Sequence, residues 1–279
     1  MAEGRRLRIG HSPDADDAFM FFGIARGVVG LDGWTVEHVL ADIETLNERA
    51  LRGELEVTAI SAALYPWVAS TYRLLRVGAS VGRRYGPKVL TRTPTAPDAL
   101  RGHRIAVPGR HTTAFLLLRL YLPDFEPVIM AFDRILSTVA RGEVDAGLVI
   151  HEGQLTYPAL GLHEVVDLGR WWADTTGLPI PLGVNVVRRD LGEAMAESVA
   201  CLLRHSILYA MLDAEAALEY ARLFGRGVDA ETCRTFVQMY VNDDTLGLKP
   251  DGEQALRTLY AMAHERGLIP TVPALDPVG

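Results

Sequence analysis

An internal repeat constrains the fold of this chain more than any other feature of its sequence. Residues 46–61 resemble residues 136–151, and the Arg-Gly-Glu at 52–54 and the Arg-Gly-Glu at 141–143 fall within one position of each other in this alignment. In each copy, a segment with helical spacing leads through the Arg-Gly-Glu turn into a short apolar run, which is typical of a buried strand. The repeat therefore predicts two copies of one helix-turn-strand unit.

A second pair of matched segments extends this repeat toward the N-terminus. Arg8-Ile9 is followed by Ala18-Phe19 at the same spacing at which Arg104-Ile105 is followed by Ala114-Phe115. Strands that alternate with helices favour an α/β fold with parallel pairing. We therefore predict an α/β protein made of two tandem lobes that carry similar units.

Two extended, proline-punctuated stretches predict where the chain crosses between the lobes. Tyr85–Arg92 and Ile180–Arg188 have this character, and they place a hinge near Gly86 and Gly183. The predicted first lobe comprises residues 1–90 and 184–279, with the C-terminal helices, and the second comprises residues 91–183, with a ligand cleft between the two. From Asp190 to Gly267 the pattern is helical, and we expect the aromatic residues there to belong to the core.

Bulk properties exclude several classes of protein. The chain has 279 residues, of which 49% are hydrophobic and 23% charged, as in ordinary globular proteins. Its net charge of -7 and the lack of a basic cluster argue against nucleic acid as a partner. No apolar run approaches the roughly 20 residues of a membrane span, and the N-terminal residues do not resemble a secretion signal, so we expect a cytoplasmic protein with no membrane contact.

The two cysteines do not have the spacing of metal ligands. Cys201 and Cys233 both lie in the helical C-terminal region, where we expect buried, reduced thiols. No zinc or haem pattern is present in the sequence.

His151 is the candidate catalytic residue because it follows the apolar strand of the second repeat. In open α/β sheets, ligands bind in the crevice beyond the carboxyl ends of the strands, and an imidazole there is placed for proton transfer. A structural histidine at a strand end remains the alternative. Ser61 ends the corresponding strand of the first repeat, so we expect Ser61 and His151 to face each other across the cleft.

Two loops add further candidates for the cleft. In Ser12–Asp17, an acidic residue, Asp16 or Asp17, is expected to cap the following helix, and Ser12 or Asp17 is expected to line the cleft as well. Thr112 or Thr113 is a suitable cap for the helix that begins near Ala114, and the free N–H groups of that helix start predict an anion site. The loop lacks the lysine and the spacing of a P-loop, so nucleotide binding is not indicated.

Several of these segments, in this order, resemble the 1,4-dihydroxy-6-naphthoate synthase family of the futalosine route to menaquinone. The resemblance extends from about Leu7 to Gly267 and rests on five segments: residues 12–19 (SPDADDAF), 42–47 (DIETLN), 107–114 (VPGRHTTA), 141–152 (RGEVDAGLVIHE) and 167–172 (DLGRWW). It implies a type II periplasmic-binding-protein-like fold and a lyase that acts on cyclic dehypoxanthine futalosine. It also implies a small-molecule carboxylate substrate, with no metal or organic cofactor.

The resemblance also implies roles for particular residues. His151 matches the proton acceptor of the family, and the matches to substrate-contacting positions are Ala59, Ile60, Ser61, Thr113 and Ala114. This chain departs from the family where acids in residues 12–18 replace a cysteine and an asparagine, and where Ala59 corresponds to a lysine of some relatives.

Two alternatives to the naphthoate synthase stay open from the sequence. Chorismate dehydratase shares the fold and is the nearest enzymatic competitor, although residues 112–113 and 151–152 favour the naphthoate synthase. A non-catalytic solute-binding protein would need only the cleft, and the missing secretion signal argues against it. The sequence does not predict an oligomeric state.

Overall fold

Two mixed β-sheets organise the computed structural model, which describes residues 5–279. Residues 1–4, with which the predicted first lobe begins, lie outside the described residues. The strands in chain order are β1 (Arg5–His11), β2 (Trp34–Leu40), β3 (Val57–Ser61), β4 (Tyr72–Leu74), β5 (Ser80–Gly82), β6 (Lys88–Thr91), β7 (Arg104–Val107), β8 (Glu126–Ile129), β9 (Ala146–Val149), β10 (His163–Asp167) and β11 (Ile180–Arg188).

The helices lie between these strands and in the C-terminal region. In chain order they are α1 (Ala15–Met20), α2 (Phe22–Ala25), α3 (Ile43–Leu51), α4 (Tyr65–Val68), α5 (Thr113–Tyr121), α6 (Phe132–Arg141), α7 (Gly153–Thr156), α8 (Leu168–Thr176), α9 (Glu193–Leu212), α10 (Ala214–Arg222), α11 (Ala230–Tyr240), α12 (Asp243–Leu246) and α13 (Pro250–Glu265). The helical reading of the C-terminal region is confirmed.

The two sheets repeat one arrangement of strands. The first has the order β2-β1-β3-β11-β4, with β5 also paired to β11, and the second has the order β10-β6-β9-β7-β8. In the first sheet β1 is parallel to β2 and β3, and in the second β7 is parallel to β8 and β9. The returning strands β11 and β6 are antiparallel to β3 and β9 respectively. The predicted tandem α/β lobes are therefore confirmed.

The two strands β6 and β11 are the segments through which the chain changes sheets. β6 joins the second sheet from Lys88 onward, and β11 joins the first sheet from Ile180 onward. Both lie within the stretches that the sequence predicted as crossings. The division of the chain after residues 90 and 183 stays a prediction.

The repeated Arg-Gly-Glu turn has a backbone reason. Gly53 follows α3 with a φ of 65°, and Gly142 ends α6 with a φ of 74°. Only glycine adopts this left-handed conformation without steric cost, and it is common where a helix ends. The turn then delivers the chain into β3 or β9, and β9 ends two residues before His151.

The C-terminal helices pack on the first lobe. α9, α10 and α11 contribute to a core cluster together with β1 and α1. The expectation of two buried thiols is wrong for Cys201, which is exposed on α9, whereas Cys233 is buried. Of the helices in the described part of the chain, none is long and apolar enough to cross a membrane.

Gly147 of β9 permits the close approach of α6 to the second sheet. A Cβ atom at Gly147 would lie 2.5 Å from Val139 Cγ2 and 2.6 Å from Ile135 Cγ2. We therefore expect Gly147→Ala to lower the free energy of unfolding by about 1–3 kcal/mol, the usual cost of overpacking a core. Thermal or denaturant unfolding measures this change.

Gly30→Ala is the matched control, because a Cβ atom there would have no neighbour within 4 Å. Equal stability of the Gly147→Ala and Gly30→Ala proteins would contradict the close packing of α6 on β9.

Candidate functional site

One pocket brings together the residues that the sequence predicted for the cleft. Residues of both lobes line it, including residues of α11. The predicted residues that line it are Asp17, Ala59, Ile60, Ser61, Thr112, Thr113, Ala114 and His151. Their roles toward a ligand remain predictions.

His151 lies just beyond β9 in a conformation that is uncommon for a residue with a side chain. Its φ is 54°, in the left-handed region, and such conformations cluster at functional sites. Its side chain is only 14% exposed and packs edge-on against Phe132, with ring centroids 4.7 Å apart. The second lobe thus holds the imidazole at the wall of the pocket.

The two ring nitrogens of His151 have different surroundings. Nδ1 lies 3.1 Å from Asp14 Oδ2, whereas Nε2 is buried and has no hydrogen-bond partner among residues 5–279. A carboxylate beside Nδ1 favours the tautomer that carries the proton there. Nε2 is then the basic nitrogen, and a buried acceptor without a partner is costly unless a ligand satisfies it.

The loop between β1 and α1 places three acids beside this imidazole. Asp14 is the N-cap of α1, because its Oδ1 accepts from the N–H of Asp17 at 3.3 Å, so the expectation that Asp16 or Asp17 caps the helix was wrong. Asp17 Oδ2 instead accepts from the N–H of Ser12 at 2.6 Å. Asp16 is buried, and its Oδ1 has no partner among the described residues.

The three acids differ in the direction in which their surroundings shift their pKa values. Burial alone would raise the pKa of Asp14, but the neighbouring His151, hydrogen bonds with Asp16 and Ser12, and the charge of Arg226 hold that pKa below its usual range. Burial, with the charges of Asp14 and Asp17, raises the pKa of Asp16 well above its usual value. Burial and the charge of Asp14 also raise the pKa of Asp17 well above its usual value. The surroundings therefore favour the charged form of Asp14 and disfavour the charged forms of Asp16 and Asp17.

Asp14, Asp16 and His151 also have the spacing of metal ligands. Each offers a donor atom, and the three donor atoms lie within 4.8 Å of one another. A metal requires deprotonated ligands, whereas burial and the charges of Asp14 and Asp17 raise the pKa of Asp16 and so oppose its deprotonation. The arrangement therefore suits proton transfer better than metal binding.

The start of α5 forms another wall of the pocket. Thr112, one of the two predicted candidates, caps the helix, because its hydroxyl oxygen accepts from the N–H of Phe115 at 3.2 Å. The hydroxyl of Thr113 donates to the carbonyl of Leu182 at 2.6 Å and accepts from the N–H of Ala63 at 3.1 Å. It therefore joins the second lobe to the first. Thr113 and Ala114 line the pocket, and the N–H groups in the first turn of a helix have no intrahelical partner.

Some pocket residues were not predicted from the sequence. Phe236 and Tyr240 of α11 are buried core residues, as expected, but they also line the pocket. Their spacing of four residues is that of any buried helix face, so no sequence signal separates them from the core. Asn185 did carry a signal, because it is a polar residue within the apolar strand β11, and its buried Oδ1 has no partner among residues 5–279.

Comparison with known proteins gives the family of the chain. A family model described as menaquinone biosynthesis matches residues 7–265. The chain is 46% identical over 267 residues to a protein of Thermus thermophilus named 1,4-dihydroxy-6-naphtoate synthase, an alignment that covers 96% of this chain and 97% of that protein.

Solved structures agree with this assignment. A crystal structure of a protein from Archaeoglobus fulgidus has 49% sequence identity and a TM-score of 0.91, over 95% of this chain and 98% of that one. An alkanesulfonate-binding protein of Xanthomonas axonopodis pv. citri has a TM-score of 0.72 at 14% identity, over 100% of this chain and 99% of that one, which shows a periplasmic-binding-protein-like fold alone. From the family match and the identity over nearly its whole length, the chain belongs to the menaquinone biosynthesis family.

Proposed function

We propose that this chain is a 1,4-dihydroxy-6-naphthoate synthase, a lyase of menaquinone biosynthesis with His151 as its general base. The family match and the name of the Thermus thermophilus relative support the reaction. One observation in the pocket supports the role of His151: its Nε2 is buried without a partner while Asp14 occupies Nδ1. Neither chorismate dehydration nor solute binding without catalysis is favoured by the name of this relative.

The proposed substrate is cyclic dehypoxanthine futalosine, a strained spirocyclic molecule. Removal of one proton beside a carbonyl lets the sugar-derived ring leave, and the remaining bicycle becomes aromatic. Nε2 of His151 would accept this proton, and the carboxylate of Asp14, 3.1 Å from Nδ1, would stabilise the imidazolium that forms. Aromatisation supplies the driving force, so one positioned base is sufficient for the proton transfer.

The rest of the pocket suits the binding of an oxygen-rich carboxylate. The N–H groups at the start of α5 favour an anion, because they are free donors at the positive end of a helix dipole. Ser61 adds a hydroxyl donor for carbonyl or sugar oxygens. A metabolic intermediate of this kind would be met in the cytoplasm, where we propose that the enzyme acts.

The first experiment tests the reaction and the base together. We expect the unaltered protein to convert cyclic dehypoxanthine futalosine, and not chorismate, to a product with the mass of 1,4-dihydroxy-6-naphthoate. His151→Asn keeps much of the side-chain shape but removes the basic nitrogen, so kcat should fall by roughly 10²–10⁴-fold, the usual contribution of a positioned base. Substrate titration should show that binding is retained.

His163→Asn is the matched control, because His163 is an exposed histidine of β10 that lies outside the pocket. Turnover by the His151→Asn protein within about tenfold of the parent, measured on folded protein, would exclude His151 as the base.

Asp14→Asn tests the charge beside Nδ1. Asparagine caps helices as well as aspartate does, so the start of α1 should keep its stability. Without the carboxylate, the imidazolium loses its stabilising charge and the tautomer is no longer fixed, so we expect kcat to fall by about 10–100-fold. Steady-state kinetics measures this, and an unchanged kcat would reduce Asp14 to a helix cap.

Asp16→Asn tests the buried acid through stability. The folded-state pKa of Asp16 is raised, so the folded protein binds the proton more tightly than the unfolded chain, and stability falls as pH rises from the unfolded pKa toward the folded one. An asparagine does not ionise, so the Asp16→Asn protein does not lose this stability as the pH rises. We therefore expect the variant to be more stable than the parent at pH 7, with a rise in Tm of about 2–4 °C for each kcal/mol gained.

The gain in Tm should shrink as the pH is lowered toward the pKa of an ordinary aspartate, where both chains carry a neutral side chain. A gain that stays constant between pH 7 and pH 4 would show that Asp16 does not titrate with folding.

A further inference from the structure

A chain of hydrogen bonds runs from the second lobe to the pocket through Glu44 of α3. Glu44 Oε1 accepts from the backbone N–H of Arg110 at 2.8 Å and of His111 at 3.2 Å. The ring Nδ1 of His111 lies 2.9 Å from the same oxygen, and this hydrogen bond raises the pKa of His111. One carboxylate of the first lobe therefore holds the loop that precedes α5.

The backbone is shaped for this contact. A Cβ atom at Gly109 would lie 2.4 Å from Glu44 Cδ, so a larger residue there would push the carboxylate out of the loop. The side chain of Glu44 is only 16% exposed. Charge-assisted hydrogen bonds of this kind are stronger than those between neutral groups.

Asn47 carries the contact onward from Glu44 to β3. This fully buried residue donates from Nδ2 to Glu44 Oε2 at 3.3 Å and to Ser61 Oγ at 3.0 Å. The backbone N–H of Ser61 donates to Asn47 Oδ1 at 2.8 Å. Because a backbone N–H can only donate, the oxygen of the amide must face it, and the orientation of Asn47 is fixed.

The direction of these bonds determines what Ser61 presents to a ligand. Its Oγ accepts from Asn47, so its hydroxyl hydrogen is left to point elsewhere. Ser61 is buried, and it lines the pocket at the end of β3. The side chain is therefore set as a donor toward an anionic or carbonyl oxygen of the substrate.

We propose that Glu44 is a positioning residue. It links the contact between the second-lobe loop and α3 to the orientation of the hydroxyl donor of Ser61. Glu44 accepts from the loop with Oε1 and from Asn47 with Oε2, so a change in the position of the loop reaches Ser61 through Asn47. The proposal rests on the proposed function, because it takes Ser61 as a contact of the carboxylate substrate. It adds a role for two residues, Glu44 and Asn47, that do not themselves line the pocket.

The test compares Glu44→Gln with Glu48→Gln. Glutamine offers one acceptor oxygen where the carboxylate offers two, and its NH2 group would face another donor, either Asn47 or the loop. Loss of a hydrogen bond to a charged group costs about 1.5–3 kcal/mol, so we expect kcat/KM to fall about 10–100-fold, mainly through a higher KM. Glu48 is exposed on the same helix and carries the same charge, so its variant should match the parent.

A double-mutant cycle separates this role from a purely structural one. With Ser61→Ala in place, Glu44 has no donor left to orient, and adding Glu44→Gln should then change kcat/KM by less than about threefold. Losses that multiply in the double variant would overturn the proposal, as would a Glu44→Gln protein whose kinetics equal those of Glu48→Gln. Thermal melting of each variant gives the folded fraction to which the rates are normalised.

The activity of the parent protein distinguishes a failure of the proposed function from a failure of the role proposed for Glu44. If it makes no naphthoate product from cyclic dehypoxanthine futalosine, the proposed function fails, and the role of Glu44 fails with it. If the parent is active and the cycle is additive, only the role of Glu44 is overturned.

Discussion

The buried contact between Asp14 and His151 is the interaction on which the site depends. It joins the loop after β1 to the end of β9, 3.1 Å between Oδ2 and Nδ1, and so connects one lobe to the other. A carboxylate buried this deeply is stable only where cationic or donor groups face it. His151, Arg226 and the hydrogen bonds of the loop supply these, and the raised pKa of the neighbouring Asp16 disfavours a second buried charge.

Other polar contacts hold the lobes around this pair. The hydroxyl of Thr113 joins α5 to the carbonyl of Leu182, and Arg226 reaches both Pro13 and Glu152 while its guanidinium stacks 4.4 Å from the Phe132 ring. These contacts are hydrogen bonds, an ion pair and a cation–π pair, and they lie beside an apolar core that itself continues between the lobes, from Ile60 of β3 to Ile105 of β7. Polar contacts of this kind exchange readily with water, which suits a cleft that must admit a substrate and release a product.

The sequence predicted the fold well because the fold repeats. The matched Arg-Gly-Glu turns anticipate the positive φ of Gly53 and Gly142, and the strands that follow them pair alike in the two sheets. Asp14 was not predicted, because a residue's partner across the cleft depends on tertiary packing that no local pattern records. Phe236 and Tyr240 were not predicted to line the pocket for the same reason, because a buried helix face has the same spacing whether it covers a core or a ligand.

The equivalence of β3 and β9 has a consequence for how the two halves divide their work. Each half ends a strand at the same pocket, yet one end carries the hydroxyl of Ser61 and the other the imidazole of His151. A substitution at one strand end leaves its counterpart untouched, so recognition and reactivity can change separately. The repeated architecture thus brings two strand ends to one pocket, where under the proposed function Ser61 serves recognition and His151 serves proton transfer, and a half taken alone would hold only one of the two groups.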